Sequence, residues 1–196
     1  SVLLSIVAAL LVACGDSPAP DSATSSPAQY DLVLQGGTLY SGADEPPFIG
    51  DIAINGDRIA AVGNLGEYQA TQAIDVTGLA VMPGFIDIHS HALSDQPDQG
   101  IFGWPDAENL IRQGVTTVIE GNDGSSPVPL EPSFEAIAAL PPAINFGSFI
   151  GHGSIRALVV GEDDRPPTEE ELELMREQVA LGMEQGAFGL SSGLIY

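Results

Sequence analysis

Between Tyr30 and Met82 apolar and polar residues alternate in short runs, the period expected of half-buried strands. Tyr30-Asp31-Leu32-Val33-Leu34 is the first run, and Gly36-Gly37 is expected to turn the chain after it. Asp51–Ile54 and Arg58–Val62 flank Asn55-Gly56, a strong hairpin signal. Ala73–Val76 and Leu79–Met82 add two more strands. From Pro83 the pattern changes. Phe85–His89, Thr116–Glu120, Asn145–Ile150 and Phe188–Ser191 read as strands, the first apolar on both faces as in a fully covered sheet. Helices are predicted between them at Asp106–Gln113, with Asp106 as N-cap, at Ser133–Leu140 and at Thr168–Gln185. The last is the clearest. Thr168-Glu169-Glu170-Glu171 forms a capping box, and Leu172, Met175, Val179 and Met183 recur at helical spacing. This alternation predicts a parallel α/β fold from Pro83 onward.

The N-terminal end has a different character. Val2–Ala13 is apolar but shorter than the ~20 residues of a membrane span, and it fits the core of a signal peptide that the chain enters at Ser1. Leu11-Val12-Ala13-Cys14 resembles a bacterial lipobox, whose cysteine is lipidated and becomes the mature N-terminus. Cys14 is the only cysteine, so no disulfide forms within the chain. Gly15–Gln29 is rich in Ser, Pro, Ala and Asp and cannot bury enough apolar surface to order itself. The expected organisation is a lipoprotein signal over 1–14, a disordered tether over 15–29, a strand-rich domain over 30–82 and an α/β region over 83–196. It places the protein in a bacterial cell envelope, periplasmic or held to the membrane by a lipid at Cys14.

Charge narrows the partners. The sequence carries 27 acidic side chains against five basic ones, all arginine, for a formal charge of −22. Nucleic acid is excluded as a partner, because phosphate contacts need cationic side chains.

Candidate chemistry collects where the predicted strands end. His89 and His91 are separated by one residue after an apolar run, and alternate residues of an extended strand point the same way. Two imidazoles can therefore face one metal ion. Glu120 and Asp123 stand at the end of the second α/β strand as candidate oxygen ligands, although an Asx turn would also use Asp123. His152, between two glycines, is a candidate substrate or outer-shell contact, or a structural histidine. Arg156 is expected in a surface salt bridge.

Pro83-Gly84-Phe85-Ile86-Asp87-Ile88-His89-Ser90-His91 resembles the first barrel strand of the amidohydrolase superfamily. Four more stretches resemble its N-acyl-D-amino-acid deacylase (D-aminoacylase) branch: Tyr30–Thr38, Gly114–Val118, Gly151–Arg156 and Gly186–Tyr196. The resemblance implies a metal-dependent (β/α)8 barrel preceded by strands of a small β-sandwich. Such a barrel takes about 250 residues, so the chain is expected to hold its first part and to be inactive alone. The implied reaction is attack of a metal-bound hydroxide on an amide carbonyl, releasing a D-amino acid and a carboxylate from an N-acyl amino acid. D-aminoacylases commonly carry Gly-Asn-Cys-Gly where this chain has Gly121-Asn122-Asp123-Gly124. Asp123, or Glu120 close behind it, is expected to replace the cysteine as metal ligand. Zinc is the expected ion, with manganese or cobalt favoured more than usual by the harder oxygen ligand. Tyr196 matches a tyrosine that lies by the metals in the family, where its hydroxyl is expected to polarise the scissile carbonyl and meet the substrate, with a packed aromatic as the alternative; the general base and two further histidines are expected beyond it. A dipeptidase or cyclic-amide hydrolase is the alternative, and a non-catalytic binding lipoprotein a third reading.

Overall fold

The computed structural model describes residues 27–93, 99–140 and 142–194. The signal segment, Cys14 and Tyr196 lie outside these residues. Two compact units divide at Val81 and Met82.

The first unit is a five-stranded sheet. β1 (Ala28–Leu39) lies at its centre, antiparallel to β2 (Phe48–Asn55) and parallel to β4 (Tyr68–Asp75) and β5 (Ala80–Val81). β3 (Arg58–Gly63) pairs with β2 through the expected hairpin, in which Gly56 takes φ +57°. The expected turn at Gly36-Gly37 is not formed. β1 runs straight through, with Gly36 at φ +71° and the pairing to β2 shifting between Leu34 and Gly37. Such a bulge needs a residue tolerant of positive φ. It hands β1 from β4, its partner up to Gln35, to β5, its partner at Thr38 and Leu39.

The second unit alternates strand and helix. β6 (Phe85–Asp87), β7 (Val115–Glu120) and β8 (Asn145–Ser148) form a parallel sheet with β7 central. β9 (Ile150–Gly151) and β10 (Leu190–Ser191) form a second parallel pair. The predicted strand over 145–150 is thus split, because Phe149 leaves the ladder. α1 (Gly100–Gly103) and α2 (Glu108–Ile111) connect β6 to β7, and α3 (Glu131–Ala139) connects β7 to β8. Asp106 is not the N-cap of α2; that place falls to Ala107, at φ +43°. α4 (His152–Val159) was unforeseen. α5 (Glu169–Glu184) carries the expected capping box between Thr168 and Glu171.

Two cores support the strands. Val118 of β7 packs with Ile101, Ala107, Ile137 and Ile144, while Ile150 of β9 packs with Leu130, Ile155, Val160, Met175 and Ala187. The stripe of α5 departs from expectation at one turn. Gly182 is buried while Met183 is exposed, because the helix reaches Ile150 through the glycine. The apolar side chains of Phe85, Ile86 and Ile88 are more than half exposed, contrary to the buried strand expected. Among the described residues β6 pairs with β7 alone. No helix of the described residues is long and apolar enough to cross a membrane.

Candidate metal centre

β6 is shorter than expected, and both histidines lie beyond its last ladder residue, Asp87. The Asp87 carboxylate accepts the His89 amide (3.1 Å) and bends the chain there. The rings of His89 and His91 nevertheless lie close, their centroids 5.6 Å apart. His89 and His91 are exposed while Ser90 between them is 7% exposed, so the two imidazoles emerge on one side.

Ser90 is held from several directions. Its amide donates to Ile119 O (3.2 Å), and its carbonyl accepts from Asn122 Nδ2 (3.2 Å). Its hydroxyl donates to Glu120 Oε1 (3.1 Å) and accepts the Ala92 amide (3.1 Å). The Ala92 amide also donates to Glu120 Oε1. Burial pushes the Glu120 carboxyl above its ordinary range, and the hydrogen bonds from Ala92 and Ser90 oppose that shift.

The carboxylate of Asp123 enters from the next strand end. After β7 the chain passes through Gly121 at φ +77° and a 3-10 turn over Asn122–Gly124. Asp123 itself is left-handed, at φ +58°, a conformation aspartate tolerates better than most residues. Gly121 leaves no room for a Cβ against Phe149 O. Ser191 of β10 braces the turn, donating to Gly121 O and accepting the Gly124 amide (3.1 Å). Asp123 Oδ2 thereby stands 3.2 Å from His89 Nε2 and 3.5 Å from His91 Nε2.

One ligand atom from each of His89, His91 and Asp123 lies within 4.8 Å of the others, a group that can hold a metal ion. Nitrogen and oxygen ligands about 2.0–2.2 Å from a tetrahedral zinc stand roughly 3.4 Å apart. The two His–Asp separations fit that spacing, and the donor types suit a divalent cation. Glu120 is not in this group; its carboxylate is engaged in the loop after β6. His152 is also outside it, half-buried as the first residue of α4. Among the described residues Arg156 forms no salt bridge. Its guanidinium donates to the carbonyls of Gly161, Asp163 and Arg165, closing the loop after α4. A cavity of about 660 Å³ opens beside His91, lined in part by Ile101, Trp104, Leu110 and Ile144.

Sequence reasoning passed over Ser90, Asn122 and Ser191. The first two were in the motifs as the residue between the histidines and the asparagine of Gly-Asn-Asp-Gly, but their partners lie about thirty positions away.

Comparison with known proteins gives the chain its family. The chain is 36% identical to a D-aminoacylase of Alcaligenes xylosoxydans xylosoxydans over 85% of its own length and 38% of the relative's. A solved D-aminoacylase, described as having a binuclear metal center, superposes with a TM-score of 0.74 at 36% identity, over 85% of this chain and 39% of that one. N-acyl-D-glutamate deacylase from Bordetella bronchiseptica, solved with zinc and a phosphonate inhibitor, gives a TM-score of 0.76 at 32% identity, over 86% and 39%. The chain therefore spans less than two-fifths of the length of these relatives and shares their α/β fold over that span. Residues 72–194, from the last strands of the first unit through both loops that bear the histidines and Asp123, match the model of the amidohydrolase family, and the chain belongs to it.

Proposed function

We propose that this chain is part of an N-acyl-D-amino-acid deacylase, which hydrolyses the amide of an N-acyl-D-amino acid to a carboxylate and a free D-amino acid. The convergence of His89, His91 and Asp123 on one point carries the reading. The likeness to D-aminoacylase and to N-acyl-D-glutamate deacylase supports the amide substrate and its chirality. Within the chain, His89 and His91 would hold the ion through Nε2 and Asp123 through Oδ2. Zinc is the first choice, and the carboxylate raises the standing of manganese and cobalt. When bound, the cation supplies Lewis acidity toward the scissile carbonyl and toward water. The three side chains would fix its place. The cavity beside His91 is of a size suited to a small molecule. Tyr196 is assigned the carbonyl-polarising role by the resemblance alone, and His152 a substrate contact. For the envelope location, the support is Leu11-Val12-Ala13-Cys14 followed by the polar tether.

The test is an assay of the full-length gene product, reconstituted with zinc, manganese or cobalt, on N-acetyl-D- and N-acetyl-L-amino acids. Turnover of the D-series, abolished by a chelator and restored by metal, is the expected result. Asp123 in place of the cysteine of D-aminoacylases favours a second reading, a dipeptidase or cyclic-amide hydrolase. Dipeptide cleavage without N-acetyl-D-amino acid turnover would establish that reading instead. For the anchor, replacing Cys14 by Ala is expected to move the protein out of the detergent phase; retention there would refute lipidation.

A further inference from the structure

We propose that Glu120 is the positioning residue of the histidine pair, clamping the loop that carries His91 rather than ligating the ion. This rests on the metal reading of His89, His91 and Asp123 given above. Glu120 closes β7 and is only 5% exposed. Its Oε1 takes two donors, the Ser90 hydroxyl at 3.1 Å and the Ala92 amide. Those donors stand on either side of His91. The backbone is thus fastened before and after a residue whose own side chain is 69% exposed and 3.5 Å from Asp123. A long exposed imidazole on an untethered loop would lose that aim through rotamer and backbone freedom.

The choice of a charged side chain needs a reason. Burying a carboxylate is costly unless it is well hydrogen-bonded or paired, and among the described residues no arginine forms an ion pair with Glu120. An apolar residue there would spare that cost but would deprive Ser90 Oγ and the Ala92 amide of their shared acceptor. Position adds a second argument. Asp123 follows Glu120 by three residues on the same strand end, so β7 supplies both the oxygen ligand and the clamp on its histidine partner.

Cobalt(II) titration of the full-length gene product, followed by its visible d–d absorption and by bound-metal content, tests the inference. Glu120→Gln keeps an oxygen that can accept both donors, so its cobalt affinity is expected within about threefold of the parent with the same spectrum. Glu120→Ala is expected to bind roughly 10- to 100-fold more weakly, the usual effect of losing an outer-shell partner, with unchanged cobalt content at saturation. Gly182→Ala, which strains α5 against β9 outside the clamp, serves as a destabilised control and is expected to keep the parent affinity. Reduced content or an altered spectrum in Glu120→Gln would make Glu120 a ligand and overturn the proposal. Parent-like affinity in Glu120→Ala would overturn it too. Should Glu120→Ala fail to fold by circular dichroism, Ser90→Ala removes one donor and leaves the carboxylate. A loss of about tenfold supports the clamp, and no loss rejects it. If the unsubstituted full-length protein takes up no cobalt, the metal reading itself fails; if it binds cobalt and the variants match it, only the role of Glu120 fails.

Discussion

Asn122 Nδ2 donates at once to Ser90 O (3.2 Å) and to Ile119 O (3.0 Å), stitching the turn that carries Asp123 to the loop that carries both histidines. Asn122 is 8% exposed, so water does not readily replace these bonds. A single amide therefore couples the two halves of the candidate centre across the ends of neighbouring strands.

Asn122→Ala is expected to cost about 1–3 kcal/mol of folding stability, the range for leaving buried polar partners unsatisfied. Cobalt affinity should fall with it, since the loops are released from one another. Urea denaturation and metal titration of the variant check both effects. A loss of stability with unaltered affinity would mean that the loops are registered by their other bonds.

Charge and conformation at Asp123 can be separated. Asparagine also tolerates the left-handed region, so Asp123→Asn should keep the turn at φ +58° while removing the anionic ligand. Metal binding is expected to weaken at least tenfold with little change in melting temperature. Asp123→Ala should lose the metal and also destabilise the turn by about 1 kcal/mol, from placing a Cβ residue without local side-chain bonds at positive φ. Thermal melts of the two variants in chelator distinguish the contributions. Equal metal affinity in Asp123→Asn and the parent would remove Asp123 from the ligand set.

The features legible in the sequence were those written locally. The capping box of Thr168 and Glu171 is read from four consecutive residues, and the hairpin at Asn55-Gly56 from two. The approach of His89, His91 and Asp123 was also within reach, because strand alternation and a parallel neighbour place them at adjoining strand ends. What escaped depended on tertiary partners. Gly36-Gly37 carries turn composition, yet two different parallel neighbours keep β1 extended through it. α4 lacks a side-chain cap and opens on His152-Gly153, so no start signal marks it. Glu120 stands in the sequence only as a carboxylate at a strand tip, and the fold shows Ser90 and Ala92 in front of it.

Gly182 gives a prediction about packing. A Cβ built there would meet Ile150 Cγ1 at 2.9 Å, and Ile150 is fully buried. Ile150 Cβ lies at 3.0 Å as well, so a change of rotamer alone does not clear the contact. Alanine has a helix propensity about 1 kcal/mol better than glycine, whereas overpacking costs about 1–3 kcal/mol. Gly182→Ala is thus expected to destabilise by about 1 kcal/mol despite its better propensity. A gain in stability on chemical denaturation would show that α5 and β9 separate readily.

The start of α5 responds to acid in a direction set by its ion pair. Arg165 Nη1 and Nη2 donate to the two Glu171 oxygens at 2.7 Å each, while Glu171 also accepts the Thr168 amide at 2.8 Å. The Arg165 bonds first, and the Thr168 amide next, lower the Glu171 carboxyl to about 2 from 4.5. A carboxyl whose folded value is lowered stabilises the fold fully above its unfolded value. That contribution is lost as pH falls from about 4.5 toward about 2. Glu171→Gln retains the residue type of a capping box but not the charge. Its melting temperature should therefore lie below the parent's at pH 6, and the gap should close as pH falls through this window. Because the pair faces solvent, added salt should narrow the gap at pH 6 as well. Melting curves across pH and ionic strength check both trends, and a gap that persists unchanged at pH 2 would assign the effect to the cap rather than to the charge.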